Sequence, residues 1–152
     1  MANGAIGPFR GDPESNDVID QETKSKDTVR RYYARVWNGR DLNAIDDLVA
    51  DDFVIHRDNQ IQRGKVGLKA QVTETIANFV ELRVDLEEMV ALRETVAIRL
   101  NVWHKTNITA DWVRLKGVDV SIVKDGRIVE TSVTYGAPEI VPTDEAIKLL
   151  PV

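Results

Sequence analysis

The chain contains no cysteine, and its 152 residues include only two histidines, His56 and His104. Disulfides, thiolate catalysis, cysteine-held zinc and iron–sulfur clusters are therefore excluded, as is a site built on several histidines. Magnesium held by carboxylates stays open in principle, but no residue pattern asks for it, so neither a metal nor a cofactor is expected. Nowhere does the sequence hold the ~18 consecutive apolar residues that a spanning helix needs. The N-terminus lacks the basic start and apolar run of a signal peptide, so the expected location is the cytoplasm. Positive charge is in the minority, 20 Lys and Arg against 25 Asp and Glu, for a net charge of -5. With no basic patch interleaved with aromatics, neither nucleic acid nor a membrane surface is an expected partner.

What is present suits one soluble α+β domain. A 152-residue chain fits a single domain and buries roughly 70% of its unfolded surface, enough for a sizeable core. Residues 1–21 carry Gly4, Gly7, Pro8, Gly11 and Pro13 with few large apolar groups, and read as a flexible arm ahead of a domain over 22–152. Ser25 or Asp27 is placed to cap a helix over about Lys26 to Asn38, where Val29, Tyr32, Tyr33, Val36 and Trp37 recur at helical spacing. Asp41 caps a second helix, Leu42 to Ala50. Phe53-Val54-Ile55 reads as a strand, and a third helix is expected from Val66 to Phe79, after the Arg63-Gly64 turn. From Leu82 onward apolar residues alternate, in Val96, Ile98, Leu100 and Val102 most clearly. Trp112 to Val123 and Ile128 to Tyr135 flank Lys124-Asp125-Gly126-Arg127, a strong hairpin signal because Asp-Gly accepts positive φ. Thr143 opens a short last helix through Leu150. Helices first and strands afterwards mean α+β.

Four residue strings, VRRYYARVWNGRDLNAIDDLVADDFVIH, RGKVGLKAQV, VAIRLNVWH and GVDVSIVKDGRIVE, together resemble the SnoaL-like polyketide cyclase branch of the nuclear transport factor 2-like superfamily. The resemblance spans about residues 27–135. It implies a cone-shaped, curved antiparallel sheet with the N-terminal helices on its concave face, an apolar pocket, and a homodimer formed through the convex face. The implied ligand is a small apolar molecule. The implied activity is cofactor-independent acid–base catalysis on an apolar carbonyl substrate, as in a cyclase or a related hydroxylase or isomerase. The same fold also hosts non-catalytic binding modules, so fold leaves that choice open.

In the family's cyclases a His and an Asp about fifteen residues apart serve an aldol closure, and His104 and Asp119 stand at that spacing, Asp119 within GVD. A carboxylic acid in an apolar pocket has its charged form disfavoured, which moves its pKa toward the range useful for proton transfer. Asp119 and His104 are therefore the candidate catalytic residues. His104 shares strand parity with Val96, Ile98, Leu100 and Val102, whereas Arg99 and Asn101 point to the opposite face unless a bulge intervenes. Arg99-Leu100-Asn101 is similar to the Arg-x-Asp of the family's epoxide hydrolases. Asn101 replaces the aspartate there, and Ser132 and Val133 stand where that branch has Trp-Asp. An amide cannot act as a general base, which argues against epoxide hydrolysis. Candidate substrate contacts are His56, Arg99, Asn101, Tyr33, Trp37, Phe53 and Trp103. Arg99 has a structural alternative, a cross-strand ion pair, and aromatics at helical spacing are more often plain core. A steroid-isomerase-like shuttle would need a Tyr beside a protonated Asp, with Tyr32 or Tyr33 available.

Overall fold

The computed structural model describes residues 13–106 and 111–150. Helix α1 covers Pro13–Tyr32 and continues without a break into a wider π-helical turn, Tyr33–Asn38. A short helix α2, Ala44–Leu48, leads into strands β1, Val49–Arg57, and β2, Gln60–Arg63. Helix α3 spans Gly64–Asn78. The long strands β3, Glu81–Leu92, β4, Thr95–Lys105, β5, Trp112–Lys124, and β6, Arg127–Tyr135, follow. A three-residue strand β7, Glu139–Val141, and helix α4, Thr143–Leu149, complete the described chain. The sheet order is β2-β1-β6-β5-β4-β3, with β7 pairing β5, and the curved sheet does not close. All pairings are antiparallel except β1 with β6.

Helix α1 begins well before the expected start. Residues 13–21 of the anticipated arm are helical, and residues 1–12 of it lie outside the described residues. Pro13 is no obstacle, because a first-turn residue needs no N–H for an intrahelical bond. Ser25 is consequently a buried helical residue and not a cap. The extra helix is anchored where the Glu22 carboxylate accepts the Arg93 N–H, at 3.0 Å, from the β3–β4 turn. Asp41 does cap, its Oδ1 accepting the N–H groups of Asn43 and Ala44 at 3.0 and 3.3 Å. Two strands escape a hydrophobic reading for one reason. β2 is a polar, largely exposed edge strand and β7 is only three residues long, so neither shows alternation. The Asp125-Gly126 turn is as expected, with φ of 51° and 73° and Lys124 paired to Arg127.

Alternation decides which residues meet. On the concave side, Val96, Ile98 and Leu100 of β4 pack with Val29, Val36, Phe53, Leu68 and Val72 into the main core. A smaller core on the convex side joins Trp103, Trp112, Val141 and Ala146 under β7 and α4. The edge of the sheet is managed by a side chain. Asn38 Nδ2 donates to the Val84 carbonyl at 2.9 Å and Asn38 Oδ1 accepts the Val84 N–H at 2.7 Å, so the π-turn is stitched to β3 as a further strand would be. Asn38→Ala is expected to cost roughly 1 kcal/mol, the net worth of such bonds. Urea unfolding that leaves the midpoint unchanged would show the stitch to be dispensable.

Candidate active site

The concave side encloses a cavity of about 920 Å³ between the sheet, the end of α1 and helix α3. Its geometry follows from β5. Gly117, Asp119, Ser121 and Val123 point inward, while Val118 and Val120 point outward and are 52% and 37% exposed. Asp119 is thus carried into the cavity wall by the strand's period of two and is only 1% exposed.

Both oxygens of Asp119 are engaged. The Tyr33 hydroxyl donates to Oδ2 in a very short hydrogen bond, and the Ser121 hydroxyl donates to Oδ1 at 2.7 Å. Ser121 is in turn 2.9 Å from the Thr131 hydroxyl on β6. Burial raises the Asp119 pKa from 3.8 to about 6, against the opposing pull of the Tyr33 and Ser121 hydrogen bonds. The Tyr33 hydroxyl is itself held well above its ordinary value, first by burial and then by the neighbouring Asp119, so it stays a proton donor. Tyr33 sits at the start of the π-turn, and Tyr32 packs against it edge-on with ring centroids 5.2 Å apart. Helical widening of this kind is frequent at functional sites, because it re-aims side chains that an α-helix would stack.

Strand register separates residues that the sequence brings close. Asp119 pairs with Ile98, and His104 lies six residues further along β4. At 3.3–3.4 Å per residue the two are roughly 20 Å apart along the strands. Both line the same cavity, with six ladder positions between His104 and the partner of Asp119. His104 packs on the Phe79 ring at 4.3 Å, and burial lowers its pKa, which keeps it neutral at pH 7. Its Nδ1 is buried without a partner among the described residues.

Of the other candidates, Tyr33 and Trp37 line the cavity. Five do not. β4 pairs β5 without a break, and the irregularity in its pairing with β3 places the extra residue, Glu87, on β3 rather than on β4, so Arg99, Asn101 and Trp103 keep the face opposite Ile98 and Leu100, the convex side. There Arg99 is ion-paired with Glu87 at 3.0 Å and Glu88 at 3.3 Å, which also rules out its pairing with Asp119. Asn101 donates to Glu87 at 2.6 Å, and Trp103 belongs to the small convex core. His56 alternates outward from Ile55 and lies 3.4 Å from Glu130 on the convex face. Phe53 points inward but is a fully buried member of the main core, outside the lining.

The residue that sequence reading passed over is Arg57. Phe53, Ile55 and Arg57 share one face of β1, so the same alternation that sends His56 out brings Arg57 in. Arg57 pairs with Val133, and Val133 with Asp119, so the three form one row across adjacent strands. Two strand spacings put the Arg57 and Asp119 backbones roughly 10 Å apart. Val133 fills the middle of this row, and no second carboxylate stands beside Asp119 there. Tyr135, one inward step beyond Val133, also lines the cavity, and Gly117 opposite makes room for it: a Cβ there would come within 2.6 Å of the Tyr135 ring. Among the described residues no group of three or more His, Asp or Glu converges as a metal site.

A curved open sheet with helices on its concave side and a buried Tyr–Asp pair in the enclosed cavity defines a class of small α+β pocket proteins. The SnoaL-like domain family model matches residues 29–131, and the chain belongs to that family, within the nuclear transport factor 2-like superfamily. Solved structures agree on the fold. An LEH-like epoxide hydrolase from M. tuberculosis is 16% identical, with a TM-score of 0.67 over 76% of this chain and 84% of that one. SalBIII, an epoxide hydrolase/cyclase-like enzyme with a role in pyran ring formation in salinomycin, is 19% identical, with a TM-score of 0.69 over 78% and 97%. IdmH, a candidate polyketide cyclase from Streptomyces antibioticus, is 24% identical, with a TM-score of 0.63 over 73% and 91%. No protein of curated function matches the chain. Among the described residues, no helix is long and apolar enough to cross a membrane.

Proposed function

We propose that the protein is a cofactor-independent enzyme that moves a proton on an apolar carbonyl substrate, with Asp119 as the acid/base and Tyr33 as the hydrogen-bond donor beside it. The observation that carries this is a carboxyl group buried in the wall of a cavity of about 920 Å³, with its pKa at about 6. A base poised there is largely ionised at pH 7 and still a competent acid once it has taken a proton. The inward aromatics Tyr32, Trp37 and Tyr135 supply flat apolar walls, and the volume suits a polycyclic or long folded ligand of polyketide type. Cyclisation, isomerisation and a hydroxylation that begins by enolising the substrate all share this first step. A deuterium-exchange assay on a bicyclic β-dicarbonyl probe tests it directly. Exchange above the buffer rate is expected for the intact chain, and exchange at the buffer rate alone would end the enzymatic reading.

One observation favours a second reading, a binding module that catalyses nothing. Both Asp119 oxygens are already satisfied by Tyr33 and Ser121, as a purely structural carboxylate would be. The exchange assay separates the two. A homodimer is part of the proposal, supported by exposed Val90, Leu92, Val118 and Val120 on the convex side of β3 and β5. So are a cytoplasmic location and a small apolar ligand as the partner.

A further inference from the structure

Arg57 is held in place with unusual care for a residue with no carboxylate partner. The Gln71 side-chain oxygen on α3 accepts from both terminal nitrogens of its guanidinium, Nη1 at 2.8 Å and Nη2 at 2.9 Å, while the Gln71 amide nitrogen donates to Gln62 Oε1 at 2.6 Å. This amide orientation follows from the neighbours, since the reverse would set oxygen against oxygen and nitrogen against nitrogen. Gln62 Nε2 then donates to the Gly67 carbonyl at 2.6 Å. Gly67 permits this approach, because a Cβ there would stand 2.9 Å from Gln62 Nε2. The Tyr135 ring lies against the guanidinium, with Cζ 5.8 Å from its centroid.

A guanidinium has five N–H donors, and Gln71 accounts for two. Among the described residues no carboxylate lies within ion-pair distance of Arg57, and its Nε is buried without a partner. Glu74, the carboxylate that α3 adds to the cavity lining, is exposed at the surface. An unneutralised cation with spare donors in a cavity wall disfavours an empty or purely apolar filling, since burying unpaired donors is costly. A charge-assisted bond from a planar guanidinium is the strongest that such a wall can offer to a carboxylate or a similar oxygen pair.

We propose that Arg57 is the anion-recognition point of the cavity, and that the natural ligand carries an anionic oxygen, either a standing carboxylate or an ionised enol or phenol, on an apolar ring system. The inference deepens the reading above by naming the charge of its substrate, and rests on it for the cavity being a ligand site. Asp119 and Arg57, roughly 10 Å apart across the sheet, would then hold the two ends of one ligand, the proton-transfer end and the anionic end.

The test uses the full chain and three probes: 2-naphthoate, its neutral amide 2-naphthamide, and 4-nitrophenol, whose ionisation is read by its visible absorbance. Titration calorimetry is expected to show naphthoate binding at least tenfold tighter than naphthamide, and Arg57→Gln is expected to remove that ratio by weakening naphthoate far more than naphthamide. Arg57→Lys keeps the charge without the fork and should retain part of the preference. Gln71→Leu frees the guanidinium and should reduce it several-fold, and these two variants carry the test if Arg57→Gln melts early. A lowered pKa of bound 4-nitrophenol, lost in Arg57→Gln, assigns the enol or phenol source, and a naphthoate preference alone assigns a standing carboxylate. Equal or undetectable binding of the acid and the amide, with no nitrophenol shift, overturns the proposal, as does a preference that survives in Arg57→Gln. None of these readouts needs turnover, so they stand or fall separately from the exchange assay on Asp119.

Discussion

Asp119→Asn is expected to slow exchange or turnover of an enolisable substrate by about 10²–10⁴-fold, the range that a positioned general acid or base supplies. The amide keeps the size of the carboxyl and can still meet the Tyr33 and Ser121 hydroxyls, but it cannot carry the proton. Ligand affinity should therefore change little. The pH profile supplies a second signature. As a general base Asp119 works ionised, so the rate should rise with pH through about 6, the value that burial sets. The sign for stability is opposite. A carboxyl with a folded pKa of about 6 and an unfolded one of 3.8 binds its proton more tightly in the native state. Stability therefore falls as pH rises from about 4 through about 6, by on the order of 3 kcal/mol from this group, and the cost persists above that window. Asp119→Asn should flatten that part of the stability curve. A variant with undiminished exchange would remove Asp119 from the chemistry, and an unaltered pH–stability slope would show that its carboxyl titrates normally.

Phe53→Ala should act on stability and hardly at all on the ligand. Phe53 is 1% exposed and packs in the main core beneath the cavity without lining it. Truncating a buried phenylalanine costs about 3–5 kcal/mol in lost transfer energy and residual void. For a domain of this size such a loss is a large fraction of the ~5–15 kcal/mol that usually separates folded from unfolded chains. Chemical denaturation should show the midpoint falling sharply. At temperatures where the variant is folded, naphthoate affinity should stay within a few-fold of the parent value. A large affinity loss with an unchanged midpoint would put Phe53 in the ligand site after all.

These two residues show what kinds of information were readable from the chain. Asp119 was legible through the family-like GVD and its spacing from His104, but not its face, because the apolar Val118 and Val120 beside it form the outward row and the polar Ser121 shares the inward one. Alternation told His104 apart from Arg99 and Asn101, and it held the unread answer for Arg57, two positions beyond Ile55. Where a pattern was short or polar, as in β2 and β7, no periodic signal existed to read. Pro13 and the glycines before it suggested an arm, although α1 already runs from Pro13 and is tied to the β3–β4 turn through Glu22.

The face that Asp119 takes was left to the tertiary structure, whereas by itself the sequence determined the α+β class, the main helices and long strands and the Asp125-Gly126 hairpin. Each of these depends on local geometry, on periods of 3.6 and 2 or on the φ a turn requires, which neighbouring residues encode. The tertiary structure alone decided which inward residues meet. Ladder register paired Asp119 with Ile98, six positions along β4 from His104, and brought Asp119 and His104 to one cavity wall. The π-turn after α1 brought Tyr33 onto a carboxylate 86 residues away. The Gly67–Gln62–Gln71 relay between hairpin and helix fixed the Arg57 guanidinium in the wall. Those contacts join strands and helices distant in the chain, and their distances are set by register and packing, which no local period contains.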